Sequence, residues 1–273
     1  MTEPAPLRDT LRAAGLSADK SFGQHFLLDL NICRKIARLA GALEGETVIE
    51  VGPGPGGLTR ALLEAGARVI AVEADARFLP LLADLPGAAD GALTVVHADA
   101  LKVDEAALAG PDGARIVANL PYNVGTALLI KWLTGPFRPK SMTLMFQKEV
   151  ALRIVAPPGG KDYGRLAVLS QAVCETRIVM ALPARAFTPP PKVDSAVVEL
   201  VPHPDPPADD LIESLQVVTR EAFGQRRKML RSALKAVGGA ALCKVAGIDP
   251  NLRGEVVALE GFLRLAEALR ERG

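Results

Sequence analysis

Cysteine is scarce in this chain. Its 273 residues include 3 cysteines, Cys33, Cys174 and Cys243, which lie far apart in the sequence. Their odd number and wide spacing exclude a disulfide framework, and the lack of a CxxC pair or a cysteine–histidine cluster argues against a structural zinc site. The sequence therefore predicts a reduced, cytoplasmic compartment and no metal.

Long apolar runs and net charge are lacking as well. No apolar run approaches the roughly 18–20 residues that cross a bilayer. The N-terminal segment carries scattered charges instead of the apolar core of a signal peptide. Lys and Arg number 32 and Asp and Glu number 31, so the formal net charge is +1. We therefore expect no membrane partner, and any binding of nucleic acid must depend on locally concentrated positive charge.

What is present is the pattern of an α/β domain. Short β-branched runs alternate with segments of helical spacing between residues 47 and about 135. Continuous apolar strands separated by amphipathic helices predict a parallel sheet covered on both faces, a Rossmann-like arrangement. The predicted strands are 47–51, 68–72, 93–96, 115–118, 141–146, 176–182 and 196–201. The last two have no long helix between them, which favours a hairpin-like end to the sheet.

A proline-rich segment, residues 202–207, marks a change of composition. Proline cannot continue a strand, and several together stiffen a linker. Beyond this segment only helical spacing occurs, as at Leu211, Leu215 and Val218. We therefore expect two domains: an α/β domain with an N-terminal tail over 1–202, and a small α-helical domain over 203–273.

A glycine-rich turn follows the first strand of the predicted sheet, with the sequence Glu50-Val51-Gly52-Pro53-Gly54-Pro55-Gly56-Gly57. Its GxGxxG spacing is also found in dinucleotide sites, and it is compatible with a plain tight turn. However, Pro53 and Pro55 have no N–H group to offer a phosphate, and Glu50 repels an anion and attracts a cation. The turn therefore favours S-adenosylmethionine, which joins an adenosine to a positively charged sulfur.

Acidic residues stand at the ends of the next two strands. Glu73 ends the second strand and is suited to accept hydrogen bonds from ribose hydroxyls, while Asp99 follows the third and is suited to accept one from an adenine amine. The carboxyl ends of parallel strands share one edge of a sheet, so these residues should line one cofactor site. The alternative is that they are solvated loop acids.

The fourth strand runs into Asn119-Leu120-Pro121-Tyr122. An exocyclic adenine or amide nitrogen is a poor nucleophile, because its lone pair is delocalised into a π-system. The side-chain oxygen of Asn119 and the main-chain carbonyl of Leu120 can accept its hydrogens and direct the lone pair at a methyl group. Pro121 fixes the turn, and Tyr122 offers a ring on which a planar group can stack. The alternative is a structural turn before a helix.

The chain resembles the ribosomal RNA adenine N6,N6-dimethyltransferases in segments distributed over almost its whole length. The matching segments are 22–27, 50–59, 73–75, 99–100, 119–123, 147–150, 187–195 and 223–228. The last two distinguish this family from other amine methyltransferases. The resemblance implies dimethylation of two adjacent adenosines near the 3′ end of small-subunit (16S) rRNA during ribosome biogenesis.

The resemblance also implies roles for particular residues. It implies that six residues contact the cofactor: His25, Leu27, Gly52, Glu73, Asp99 and Asn119. We add Gly54, which belongs to the same glycine-rich turn as Gly52. Phe187 matches a second aromatic that would hold the target base against Tyr122, and its alternative is a core phenylalanine. The expected catalytic set is Asn119, Leu120, Pro121, Tyr122 and Phe187.

Positive charge is concentrated in the predicted helical domain. On one continuous helix, the spacings of Arg220, Arg227, Arg231 and Lys235 would place these side chains on one face, although we expect Gly224 to interrupt the helix. Arg226 and Lys228 widen this basic cluster, whose alternative is a solvated helix face. We expect it to bind the rRNA of an immature 30S particle, with the chain acting as a monomer.

Two other classes of function stay open. DNA adenine methyltransferases and glutamine-amide methyltransferases use related Asn-x-Pro-Tyr motifs, but the segment 187–195 and the basic cluster argue against both. A non-catalytic assembly factor would bind immature subunits without needing the chemistry of Asn119.

Overall fold

The computed structural model describes residues 6–19, 23–225 and 227–272. The described chain divides into two units. The first takes in the residues up to Trp132, together with 137–151 and 178–199. The second takes in 133–136, 152–177 and the residues from Leu200 onward.

A seven-stranded sheet, in the spatial order β4-β3-β2-β5-β6-β9-β7, contains all the strands that the sequence predicts. Its strands are β2 (Thr47–Val51), β3 (Arg68–Glu73), β4 (Leu93–His97), β5 (Arg115–Asn119), β6 (Met142–Gln147), β7 (Cys174–Leu182) and β9 (Ser195–Pro202). The strands from β4 to β6 pair in parallel. Strands β7 and β9 are neighbours, as expected of the end of the sheet. The predicted α/β fold is confirmed.

A two-stranded antiparallel sheet accompanies the large one. It joins β1 (Phe26–Leu27) to β8 (Phe187–Thr188), and Phe26 is opposite Thr188. This pairing attaches the segment after the N-terminal helix to a segment about 160 residues later in the chain. It places residues 23–27 beside the large sheet's glycine-rich turn, where Gly54 and Gly57 approach Phe26 and Leu27.

Helices cover the first unit's sheet. They are α1 (Leu7–Ala13), α2 (Leu30–Leu39), α3 (Gly57–Glu64), α4 (Leu79–Ala83), α5 (Glu105–Ala109), α6 (Gly125–Thr134) and α7 (Lys148–Val155). Side chains cap some of them: Asp29 accepts a hydrogen bond from the Asn31 N–H at the start of α2, and Asp104 accepts one at the start of α5. Ile36, Leu62 and Val69 are among the buried residues of the core between sheet and helices.

The second unit is mostly helical. Its helices are α8 (Arg165–Val173), α9 (Asp209–Gly224), α10 (Leu230–Ala233), α11 (Gly239–Val245) and α12 (Leu259–Arg270). Leu215, Val218 and Phe262 are fully buried in its core. Helix α8 contributes Val168 and Leu169 to the same core, which is why residues 152–177 group with the helical unit. The predicted first domain, 1–202, includes that segment, because the sequence of an apolar helix does not reveal its packing partner.

The described residues lack two features. No helix among them is long and apolar enough to cross a membrane. No group of three or more histidine, cysteine or acidic side chains in the described ranges is arranged to hold a metal ion.

Candidate active site

A cavity of about 380 Å³ lies at the carboxyl edge of the large sheet, within the first unit. Strand order changes direction between β2 and β5, and ligands of open α/β sheets bind at such a switch point. The volume falls in the range of roughly 300–1,000 Å³ that is usual for small-molecule sites. Its lining includes residues 23–27, 50–55, 72–74, 98–101 and 119–124. The residues that the sequence singles out at four strand ends are thus brought together.

The glycine-rich turn is shaped by two close approaches. Gly52 and Gly54 have φ values of +68° and +53°, which favour glycine. A Cβ on Gly52 would lie 3.1 Å from Pro121 Cγ, and one on Gly54 would lie 3.0 Å from the ring of Phe26. Larger residues would therefore separate the end of β2 from both neighbouring walls of the cavity.

Glu73 is held by the backbone around it. It is 5% exposed, and its two carboxylate oxygens accept hydrogen bonds from the N–H groups of Gly54 at 2.9 Å and Asp75 at 2.8 Å. Burial raises its pKa, and those backbone hydrogen bonds partly offset the rise. Each oxygen keeps a second lone pair, so Glu73 can still accept a hydrogen bond from a hydroxyl of a ligand.

Glu50 is an acid buried without a full set of partners. It is 1% exposed, and burial raises its pKa to about 8, with the charge of Glu73 adding to the rise. The nearby Thr59 hydroxyl partly offsets the rise in the pKa of Glu50. By geometry, however, neither Glu50 Oε2 nor Thr59 Oγ1 makes a hydrogen bond with a described residue. An unpaired buried acceptor on a cavity wall suits a positively charged ligand. This is the structural feature that fits S-adenosylmethionine.

Asp99 follows β4 on a loop that a lysine holds in place. Asp99 Oδ1 accepts the Leu101 N–H at 3.0 Å, and its side chain is 49% exposed. Lys131 Nζ donates to the Ala100 carbonyl at 2.9 Å and to Glu105 Oε1 at 2.8 Å. The sequence analysis missed Lys131, although a lone lysine in the otherwise apolar α6 is a signal that could have found it.

Asn119 is oriented by a main-chain contact. Its Nδ2 donates a hydrogen bond to the His25 carbonyl at 3.0 Å, so Oδ1 lies on the other side of the planar amide. Neither Asn119 Oδ1 nor the Leu120 carbonyl receives a hydrogen bond from any residue in the described ranges. The Pro121 carbonyl accepts the N–H groups of Val124 and Gly125 and so begins α6. Both predicted acceptors belong to residues that line the cavity, and neither has a donor within the part of the chain that the structure describes.

Tyr122 is fixed at both its hydroxyl and its ring. The hydroxyl shares a hydrogen bond with the fully buried Ser195, and burial raises the pKa of the phenol. The imidazole of His25 is stacked on the ring, with centroids 5.2 Å apart. His25 Nδ1 in turn donates to the Pro189 carbonyl at 2.8 Å. His25, which we expect to contact the cofactor, thus packs against Tyr122, which we expect to stack on the target base.

Phe187 is placed differently from the expected base sandwich. It is 2% exposed, belongs to the core of the first unit and is not part of the cavity lining. Its strand pairs with β1 opposite Leu27, which directs it into the apolar interior. Phe187 is therefore a core phenylalanine in this structure, which is the alternative given for it above, and it does not face a base bound at Tyr122.

Gln24 is a cavity residue that the sequence analysis did not single out. Its Nε2 donates to Asp75 Oδ2 at 2.9 Å, which ties residues 23–27 to the end of β3. The neighbouring Arg77 guanidinium is the largest influence on Asp75 and lowers its pKa to about 2. Gln24 lies within the matching segment 22–27, which was its only signal in the sequence.

The basic cluster belongs to the second unit. Helix α9 ends at Gly224 and α10 begins at Leu230, so the residues do not share one continuous helix. The exposed members are Arg220, Arg227, Lys228, Arg231 and Lys235. Arg226 lies outside the described residues. A role in binding RNA stays a prediction for all of them.

The chain is similar to known proteins over almost its whole length. A family model described as Ribosomal RNA adenine dimethylase matches residues 15–271. A Caulobacter vibrioides protein named ribosomal RNA small subunit methyltransferase A is 68% identical over 251 residues, which cover 92% of this chain and 97% of that protein. A protein of the same name from Phenylobacterium zucineum is 65% identical over 96% of this chain and 92% of its own length.

Two solved structures share the fold over most of the chain. A dimethyladenosine transferase from Plasmodium falciparum has a TM-score of 0.72 at 27% identity, covering 88% of this chain and 96% of that one. The 23S rRNA methyltransferase ErmE has a TM-score of 0.68 at 26% identity, covering 89% of this chain and 99% of its own.

Proposed function

The chain belongs to the ribosomal RNA adenine dimethylase family, and we propose that the cavity at the carboxyl edge of its sheet performs that family's reaction. The enzyme transfers methyl groups from S-adenosylmethionine to N6 of adenosines in small-subunit rRNA. The proposed target is a pair of adjacent adenosines near the 3′ end of the 16S rRNA. Each receives two methyl groups while the small subunit is assembled.

The observation that carries this assignment is the pair of unpaired acceptors at the end of β5. Asn119 Oδ1 and the Leu120 carbonyl receive no hydrogen bond from the described residues. An N6 amino group has two hydrogens, so it can satisfy both acceptors at once. Two such hydrogen bonds draw the nitrogen toward tetrahedral geometry and turn its lone pair out of the ring's π-system. Positioning of this kind is the protein's main contribution to an in-line displacement.

Four residues are assigned to the cofactor. S-adenosylmethionine, when bound, supplies a methyl group on a positively charged sulfur that retains the electron pair of the broken bond. Glu73 accepts the ribose hydroxyls and Asp99 accepts the adenine amine. Glu50 balances the positive charge of the cofactor, because its buried Oε2 otherwise lacks a partner. Gly52 lets the backbone approach closely.

The remaining roles concern the target base. Pro121 fixes the direction of the Leu120 carbonyl, and Tyr122 supports the base by stacking once His25 has moved aside. No strong general base is required, because the nitrogen becomes cationic when its new bond forms and then loses a proton to water. Asn119 and Leu120 hold the hydrogens until that point.

The second unit is assigned to the RNA backbone. Its exposed cations give local positive charge to a chain that is nearly neutral overall. The proposed substrate is the rRNA of an immature 30S particle, the proposed acting form is a monomer, and the proposed location is the cytoplasm.

The test is incubation of unmethylated small subunits with the protein and labelled S-adenosylmethionine, followed by mapping of modified nucleotides. We expect dimethyladenosine at two adjacent positions, formed on the order of 10²–10³-fold more slowly with Asn119→Ala. Parallel reactions with protein-free 16S rRNA and with adenine-containing duplex DNA identify the substrate. Cofactor binding without any dimethyladenosine would contradict the proposal, and growth supported equally by Asn119→Ala would favour a non-catalytic assembly factor.

A further inference from the structure

A second concave surface lies beside the active-site cavity in the first unit. It is a groove of about 400 Å³ between α1, the loop that follows it and the small β1–β8 sheet. Leu11, Leu16, Phe26 and Leu28 make most of its lining apolar, and Arg8 and Arg12 also line it. We call it the α1 groove. None of the residues assigned to the reaction belongs to it.

The α1 groove has a positive charge. Arg8 and Arg12 are four residues apart on α1, so they lie on the same helix face. Both are exposed, and neither forms an ion pair with another described residue. The groove lining contains no acidic side chain. An apolar surface with two adjacent guanidinium groups, neither paired with an acid among the described residues, matches a nucleotide, whose base and sugar pack while its phosphodiester accepts hydrogen bonds.

The α1 groove also adjoins the active site. Phe26 lines both the groove and the cavity. Pro189 lines the groove, and its carbonyl accepts the hydrogen bond from His25, which lines the cavity. The cavity and the groove are therefore neighbours, joined through Phe26 and through the hydrogen bond between His25 and Pro189.

We propose that the α1 groove is a subsite for the nucleotide next to the target adenosine in single-stranded RNA. The inference rests on the proposed function, since it takes the cavity as the site of the target base. Arg8 and Arg12 bind the phosphodiester, and the apolar side holds the base or sugar. While the neighbouring nucleotide is bound in the groove, only one adenosine of the pair lies at the cavity. The RNA must leave the groove and rebind one nucleotide further along before the other adenosine can enter.

The test compares Arg8→Ala/Arg12→Ala with wild type and with Arg68→Ala. Arg68 is a matched control: it is exposed and also lacks an ion pair with a described residue, but it begins β3, at the end of the sheet opposite the cavity. Binding of a single-stranded RNA with two adjacent adenosines is measured against salt concentration. At about 0.7 per phosphate contact on a single strand, loss of the one phosphodiester contact should make the log–log salt slope shallower by about 0.7. Cofactor affinity should be unchanged.

A crosslinking experiment locates the subsite directly. RNA with 4-thiouridine next to the target adenosine is irradiated on wild-type protein, and crosslinked peptides are identified by mass spectrometry. We expect crosslinks within residues 8–18, 26–28 or 188–189, and their loss in the double variant but not in Arg68→Ala. Crosslinks elsewhere, or a salt slope equal to wild type, would overturn the groove assignment. Crosslinking at the groove with no dimethyladenosine formed would instead contradict the proposed function.

Discussion

The imidazole of His25 is stacked against the phenol ring of Tyr122, with 5.2 Å between ring centroids and 28° between ring planes. A base that stacks on this side of Tyr122 must displace the imidazole and break its hydrogen bond to the Pro189 carbonyl. The main-chain carbonyl of His25 meanwhile holds the Asn119 amide. One residue thus covers the base platform with its side chain and orients an acceptor with its backbone.

His25→Ala should therefore ease entry of the base. The variant loses the ring but keeps the carbonyl that orients Asn119. Since aromatic pairs contribute about 0.5–1.5 kcal/mol beyond their buried area, the KM for RNA should fall by roughly 2- to 10-fold with kcat little changed. Steady-state kinetics with varied RNA checks this, and Tyr122→Phe, which keeps the ring, is the control. A raised KM would mean that the imidazole itself helps to bind the base.

Asn119→Ala should reduce turnover far more than RNA affinity. It removes one of the two acceptors that orient N6, and loss of one oriented hydrogen-bonding group at a reacting centre costs on the order of 10²–10³ in kcat. Single-turnover methylation gives the rate, and filter binding gives the RNA affinity. Asn119→Asp is the companion variant: it keeps an acceptor but loses the donor to the His25 carbonyl, and it should also be slow. Equal losses of rate and affinity would indicate a structural role.

Cofactor affinity should depend on pH through Glu50. In the folded protein without cofactor, the pKa of Glu50 is raised to about 8, so its side chain is mostly protonated at pH 6. A bound cation favours the ionised form, so affinity for S-adenosylmethionine should improve as the pH rises from 6 toward 8. Isothermal titration at several pH values measures this. Glu50→Gln should bind more weakly at pH 8 with a flatter profile, and equal profiles for the two proteins would refute the assignment.

The stability of the free protein should show the opposite trend. A folded-state pKa near 8, against 4.5 for the exposed group, means that the folded state binds more protons between those values. The contribution of Glu50 is therefore complete below about pH 4.5 and is lost as the pH rises through 8. The free energy of unfolding of wild type relative to Glu50→Gln should fall over this interval and then level off, as urea titrations at fixed pH can test.

Lys131→Met should loosen the Asp99 loop. Lys131 joins Glu105 to two loop carbonyls, and the Glu105 side chain is only 4% exposed. Removing one partner of a buried ion pair costs about 3–5 kcal/mol, and the partial exposure of Lys131 lowers this to about 2–3. Urea unfolding should show that loss together with weaker cofactor binding. Adding Glu105→Gln should restore part of the stability; no recovery would mean that the pair does not interact as described.

The basic cluster should supply part of the salt dependence of binding to the small-subunit RNA. Arg227→Ala/Arg231→Ala removes two exposed cations, so the log–log salt slope should become shallower while cofactor affinity is unchanged. Lys244→Ala, also exposed but outside the cluster, is the control. An identical slope for wild type, the double variant and Lys244→Ala would mean that the RNA contacts lie outside the basic cluster.

Much of the fold and of the cavity was predictable because it depends on short stretches of sequence. The strands appear as apolar β-branched runs, and parallel strands bring their carboxyl ends to one edge. Glu73, Asp99 and Asn119 could therefore be assigned to one site before any contact was known. The helical spacings in α9 and α12 likewise follow from local periodicity. The interruption of the basic segment at Gly224, which the sequence also indicates, is confirmed, because α9 ends there.

By itself, the sequence determined the order of the strands and helices, the glycine-rich turn and the chemistry at each strand end. Only the tertiary structure decided which side chains meet. It buried Phe187 in the core, packed α8 with the helical unit and left Glu50 Oε2 without a hydrogen-bond partner among the described residues. It also joined Asn119 to the carbonyl of His25, 94 residues away. Contacts and burial of this kind depend on how distant segments pack, which local periodicity does not specify.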